Sequence, residues 1–210
     1  MKITISNKKI EDKPSTDKEK GRFFGKKGSP NRIKFLTKEI ELDELEQLIG
    51  EGFTLAYQYQ NDDAMSRKAG YIGTDYIIID IDGTDYSIED VLSMSEHKPT
   101  IIHTTFSNMT EKKGYKHCYH LIYCMSSTLY GENNFTRAFQ YFSKGIEGLV
   151  DPKAKDCHRV VFTSNCNLPH YEFVNTGIIY DVDFLPCQNL VFDEECPKVE
   201  ASPLSTPPRN

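Results

Sequence analysis

The chain has 210 residues, 38% hydrophobic and 27% charged, which suits one domain, or one domain with tails, and excludes a wholly disordered chain. Its formal charge of −6 is unevenly spread: residues 1–34 carry 11 Lys or Arg against 4 Asp or Glu, and the remainder carries 14 against 27. This is no basic nucleic-acid coat, so any nucleic-acid contact has to come from a local patch or from the basic arm.

No apolar run has the length of a membrane span, no secretory h-region opens the chain, and the six cysteines are scattered. A disulfide framework is not indicated, and a reduced, cytoplasmic setting is the expectation. Residues 1–30, rich in Lys, Glu, Ser and Gly, read as a mobile basic arm in which Lys2 to Ile5 forms at most a short strand. Leu42, Leu45, Leu48 and Ile49 make a helical stripe stopped by Gly50 and Gly52. Phe53 to Tyr59 alternates like a strand, and Tyr76 to Asp82 is a β-branched run closed at Gly83. Ser87 and Asp90 form a capping box that opens a short helix through Met94.

Pro99 precedes a strand over Thr100 to Phe106, a polar connection runs from Asn108 to Lys116, and a further strand covers Tyr119 to Met125. Phe135, Ala138, Phe139, Phe142 and Ile146 mark the longest helix, about 133–148. Arg159 to Thr163 and Gly177 to Asp181 read as short strands, and Pro197, Pro203, Pro207 and Pro208 mark a tail or linker. The expected organisation is an arm over 1–30, a domain over 31–193 and a Pro-rich tail over 194–210. Helices and strands mix, and a hairpin-length link joins two strands. That predicts an α+β fold with a mixed, largely antiparallel sheet flanked by helices.

Ile77-Ile78-Ile79-Asp80-Ile81-Asp82-Gly83 carries the strongest chemical signal. Side chains two apart on a strand share a face at roughly 6.5–7 Å, so Asp80 and Asp82 can flank a hard divalent cation. An Asp-Gly turn accounts for Asp82 but not for Asp80, an acid after three isoleucines that needs a partner. Lys112-Lys113-Gly114-Tyr115-Lys116-His117-Cys118-Tyr119-His120 is a basic loop entering a strand. Its lysines suit triphosphate charge, but taken alone it reads more readily as a solvated hairpin tip, because Lys-rich turns are common. Hydroxyls at Thr104-Thr105-Phe106-Ser107 can hold phosphate or merely satisfy a turn. Asp151, after Leu149-Val150, can complete a three-carboxylate set, and Arg159 can meet a phosphate; the alternative is a helix stop at Pro152. Cys157, His158, Cys166 and His170 lack a C-x-x-C pair and fit no common finger, so zinc is not expected.

These residues together resemble the archaeo-eukaryotic (polymerase-type) primase superfamily, in which a D-x-D strand end, a strand-initial His and a hydrophobic-Asp motif follow one another. Asp80 with Asp82, His120 and Asp151 match in order and spacing. The chain is also similar to primase-like replication domains of phages, plasmids and mobile elements in Ile79 to Gly83, His103 to Asn108, Lys112 to Lys116, Asp151 and Arg159. The likeness covers about residues 35–190. The family's Ser-x-His form is Cys118-Tyr119-His120 here, and His117 is the other candidate histidine. The resemblance implies an RRM-like catalytic core and a DNA primase or primase-polymerase activity. Asp80, Asp82 and Asp151 would hold two Mg²⁺ or Mn²⁺ ions. His120, Lys116, Arg159 and Ser107 would meet the nucleoside triphosphate, and Lys112 and Lys113 a single-stranded DNA template. A replicative helicase is the implied partner, and no membrane is.

Three other readings compete. Asp80-Ile81-Asp82-Gly83-Thr84 resembles the opening motif of haloacid-dehalogenase-type phosphatases, with Asp80 as nucleophile, Asp82 as general acid/base and Phe162-Thr163-Ser164-Asn165 as a second motif. A rolling-circle endonuclease needs two histidines two apart, whereas His117 and His120 are three apart and face opposite sides of a strand. A degenerate domain of this fold that only binds nucleic acid is the non-enzymatic reading.

Overall fold

The computed structural model describes residues 1–14, 33–59 and 70–186. In chain order its elements are β1 (Lys2–Lys9), β2 (Phe35–Glu39), α1 (Leu42–Gly50), β3 (Phe53–Ala56), β4 (Gln58–Tyr59), β5 (Tyr71–Thr84), α2 (Ile88–Met94), β6 (Ile101–Thr104), β7 (His117–Tyr130), α3 (Glu132–Phe142), β8 (Val160–Phe162), β9 (Phe173–Asn175) and β10 (Ile179–Tyr180). Two sheets form, ordered β2-β1-β3-β8 and β4-β5-β7-β6-β9. Every strand pair is antiparallel except β10, which runs parallel to β7 at Cys124 and Met125. The α+β class with largely antiparallel pairing is therefore present, divided between two sheets where one was expected.

The second sheet is organised by β5 and β7, each long enough to pair from Gly73↔Tyr130 to Thr84↔His117. Residues directly opposite share a face. Ile77, Ile79 and Ile81 thus stand with Tyr123, Leu121 and Tyr119 on one face, all of them buried. Helix α3 covers part of that face: the Phe142 ring stacks on Tyr123 with centroids 4.3 Å apart, a contact worth about 0.5–1.5 kcal/mol beyond its burial. On the opposite face Tyr76 donates its hydroxyl to the Ala56 carbonyl, and Ile78 N donates to the Tyr57 hydroxyl at 3.3 Å. These bonds tie the second sheet to the segment that leads out of the first.

Three sequence expectations shift. Residues 2–9 are not a free arm: β1 lies between β2 and β3, and Ile3 is fully buried. Alternating Ile3 and Ile5 supply an apolar face that the surrounding lysines mask in a composition count; residues 15–32 lie outside the described residues. The long helix stops at Phe142, short of residue 148, because Gly145 turns the chain at φ +85° against the Met94 carbonyl. A side chain there would place a Cβ 2.2 Å from that oxygen. Strand β5 begins earlier than the apolar run, at Tyr71, because buried Asp75 is satisfied by Lys2 N at 2.6 Å, Gln58 Nε2 at 3.1 Å and Thr128 Oγ1 at 2.6 Å. Asp75 is thus structural. The capping box at Ser87 and Asp90 forms as expected. The Pro-rich tail falls outside the described residues. No helix among the described residues is long and apolar enough to cross a membrane.

Candidate active site

The alternation that buries Ile77, Ile79 and Ile81 turns Asp80 and Asp82 to the other face, at the end of β5. Across the ladder Asp80 is opposite His120, Asp82 is opposite Cys118, and His120 is opposite His103 on β6. The other edge of β5 is met by the segment after α3, where Ile81 pairs antiparallel with Val150 and Asp151 N donates to Asp80 O at 2.8 Å. That register sets Asp151 opposite Asp80, on the same face. A row Asp151–Asp80–His120–His103 therefore crosses the sheet, with Asp82 one step along. Asp151, about seventy residues away in the chain, is thus brought to the strand that carries Asp80 and Asp82.

Each acid has its own surroundings. Asp80 Oδ2 accepts from Arg159 Nη2 at 3.2 Å, and its Oδ1 lies 3.5 Å from His120 Nε2. Burial raises the Asp80 carboxyl above the usual range, helped by the charges of Asp82 and Asp151 and only partly opposed by Arg159. Burial also works against the charge of Asp82, but Lys113, donating to Oδ2 at 2.5 Å, outweighs it and leaves that carboxyl below the usual range. Cys118, its thiol pushed up to about 12 by burial and by Asp82, donates to Asp82 Oδ1 at 3.6 Å. Asp151 Oδ1 accepts from Lys153 N at 2.9 Å.

The two histidines stay neutral. His120, brought down to about 3 by burial and then by the Arg159 and Lys13 charges, stands edge-on to His103 with ring centroids 5.1 Å apart. Its 3.5 Å approach to Asp80 looks like an ion pair, but the contact is long and burial dominates, so a neutral imidazole facing a carboxylate is the physical state. His103 is fully buried and also brought down to about 3, chiefly by burial. Its Nδ1 lies 2.8 Å from the Thr104 carbonyl, which can only accept, so Nδ1 carries the proton.

The structure sorts the remaining candidates. His120 is on the acid face; His117 stacks on Tyr119 at 5.6 Å, on the opposite face. With its side chain 6% exposed, His120 faces Asp80 and not open solvent. Lys113 reaches Asp82, whereas Lys116 bonds the exposed Asp85 at 3.1 Å. Lys112 lies in a 3-10 turn over Glu111–Lys113, beside Tyr115, which is 63% exposed at φ +58°. Ser107 is bound into its own turn, its N donating to Thr105 Oγ1 at 3.2 Å and its carbonyl accepting from Thr110 Oγ1 at 2.9 Å. Cavities of about 200 and 450 Å³ lie beside Leu168–Tyr171 and beside Ser126–Thr128, and the acids line neither.

Sequence reasoning did not single out His103, Cys118 or Lys13. Strand alternation could have found Cys118, two positions from His120 on β7, whereas His103 needed the β6–β7 register that sets it opposite His120. Lys13 has no such signal; its charge nevertheless acts on Asp80, Asp82 and His120, so the chain beyond β1 comes back past the site.

No family model and no curated protein matches this chain. Among solved structures, the AEP domain of the Cyanophage S-2L primase-polymerase aligns over 87% of this chain and 85% of its own, at 14% identity and a TM-score of 0.47. At that level of likeness the functional reading rests on the residues themselves.

Proposed function

We propose that this protein is a metal-dependent nucleotidyltransferase that joins nucleotides on a single-stranded DNA template, as a primase or primase-polymerase. The observation that carries the reading is the register that sets Asp151 opposite Asp80 and beside Asp82 on one sheet face. Three carboxylates supply only hard oxygen donors, the set that Mg²⁺ or Mn²⁺ prefers. They do not crowd one point: among the described residues, the one trio of His, Cys, Asp or Glu ligand atoms within 4.8 Å of one another is elsewhere. A spread row suits a pair of cations better than one. When bound at Asp80, Asp82 and Asp151, such a pair supplies activation of a 3′-hydroxyl and neutralisation of the triphosphate and leaving pyrophosphate.

The chain's own groups prepare that surface. Arg159 and Lys113 neutralise Asp80 and Asp82 in the resting protein. Both are long, partly exposed cations that can transfer to phosphate oxygens once the acids are otherwise engaged. Arg159 Nη1 is buried with no hydrogen-bond partner among the described residues, a donor suited to such an oxygen. Neutral His120 is a positioning residue that fixes the rotamer of Asp80. Lys112, Lys116 and exposed Tyr115 form a basic, aromatic tip fitted to the backbone and bases of a single strand.

The phosphatase reading is not favoured. It needs Asp82 as a proton donor, yet Lys113 keeps that group ionised. Its second-motif hydroxyl, on Thr163, is buried and donates to the Phe53 carbonyl. The deciding experiment measures incorporation of labelled nucleotides on a single-stranded template with and without Mg²⁺ or Mn²⁺, beside Asp80→Ala/Asp82→Ala. Metal-dependent synthesis lost in the variant, with DNA binding kept, supports the enzyme. Absence of synthesis by the wild type in both metals, with DNA still bound, replaces it with a binding module.

A further inference from the structure

Away from the acid row, the start of α3 meets the turn before β8. Glu132, Cys157 and His158 each offer one ligand atom there, and the three atoms lie within 4.8 Å of one another. His158 Nε2 is 3.1 Å from Glu132 Oε1. A helix-start carboxylate bonded to a histidine is an ordinary surface pair. It does not account for the buried thiol brought to both, nor for His158 Nδ1, which is buried with no hydrogen-bond partner among the described residues. The turn is also held in shape. Tyr59 donates its hydroxyl to the Cys157 carbonyl at 2.9 Å, His158 N donates to Asp156 Oδ1 at 2.8 Å, and the Tyr59 and Tyr71 rings lie against the imidazole with centroids 6.5 and 6.2 Å away.

We infer that Glu132, Cys157 and His158 form a second metal site, for a borderline-soft divalent cation of the Zn²⁺ type, with water as the fourth ligand. Sulfur, nitrogen and carboxylate donors select that class over Mg²⁺, whereas the all-oxygen acid row selects the reverse. The set escaped sequence reading because adjacent Cys157 and His158 had no spaced partner: Glu132 precedes them by a whole helix, and Cys166 and His170 take no part. Glu132 is the exposed member, so the ion enters from solvent. As the metal–sulfur bond forms, Cys157 gives its thiol proton to solvent. The ion clamps α3 to the turn whose next residue, Arg159, touches Asp80. Its role is to hold that turn.

The test uses the full chain, stripped with a chelator, dialysed against Zn²⁺ and assayed for bound metal, with Co²⁺ substituted for spectroscopy. The expected result is a single tightly held equivalent of Zn²⁺ and a thiolate-to-cobalt charge-transfer band. Cys157→Ser loses the band, and Cys166→Ser, at an exposed thiol outside the set, keeps it. Glu132→Gln, an isosteric change on an exposed residue that leaves the circular dichroism unaltered, weakens Zn²⁺ binding by about tenfold or more. Failure of the wild type to hold Zn²⁺ overturns the inference, as does a band that survives Cys157→Ser or vanishes in Cys166→Ser. Metal content is read without nucleotide synthesis, so this site and the proposed polymerase activity stand or fall separately.

Discussion

His103 offers a quantitative test of how the acid row is built. It is fully buried and neutral, with a pKa of about 3 against an ordinary 6.5. The unfolded chain therefore binds a proton that the native state refuses. A histidine whose folded pKa is depressed contributes stability that is fully present above the unfolded value and is lost as pH falls toward the folded one. From about pH 7 to about pH 5, protonation of the unfolded His103 costs roughly 2 kcal/mol, at ~1.4 kcal/mol per pH unit once below 6.5. His103→Gln keeps a donor for the Thr104 carbonyl and removes the titration. Urea unfolding of both proteins at the two pH values reads the difference. The wild type is expected to lose about 2 kcal/mol more than the variant over this interval, the other titrating groups being common to both. Equal losses would refute a neutral buried His103 and, with it, the solvent-free backing of His120 and Asp80.

Other outcomes follow from the same geometry. Asp80 has a raised pKa, so its contribution to stability is complete below the unfolded value and declines as pH rises through the folded one. Asp80→Asn is therefore expected to leave the metal-free melting temperature near neutral pH unchanged or higher, while abolishing synthesis; calorimetry beside an incorporation assay checks both. Tyr115→Ala should keep the fold and weaken single-stranded DNA binding by about 1–3 kcal/mol in fluorescence titrations, the usual worth of one stacked base. Gly145→Ala puts a Cβ 2.2 Å from the Met94 carbonyl at φ +85° and should destabilise the fold by at least about 2 kcal/mol in denaturant melts.

The strands that hold the site were readable because alternation and β-branching act locally. Asp80 after three isoleucines could be assigned to a face before any coordinates. Asp151 could be offered from Leu149-Val150-Asp151 only beside the rival reading of a helix stop, since its arrival opposite Asp80 depends on an isolated bridge between Ile81 and Val150 that no local propensity encodes. The pairing of Lys113 with Asp82, and of Lys116 with Asp85, likewise lay beyond local pattern. Gly114 at φ +63° closes a 3-10 turn, and this geometry, not spacing, decides which lysine reaches Asp82. The first strand was underestimated because its lysines dominate the composition, while burial of Ile3 and Ile5 depends on partners more than 30 residues away. Ser107 lies in a turn that engages its backbone through Thr105 and Thr110, as the hydroxyl-rich run at the strand end suggested for the turn itself.

Shared metal binding by the three acids is tested most directly by counting Mn²⁺ ions with electron paramagnetic resonance, in the presence of a non-hydrolysable nucleoside triphosphate. Wild-type protein should bind more Mn²⁺ than Asp151→Asn, and Asp80→Asn should bind least. Equal Mn²⁺ binding by the wild type and Asp151→Asn would contradict a metal centre built across the β5 edge.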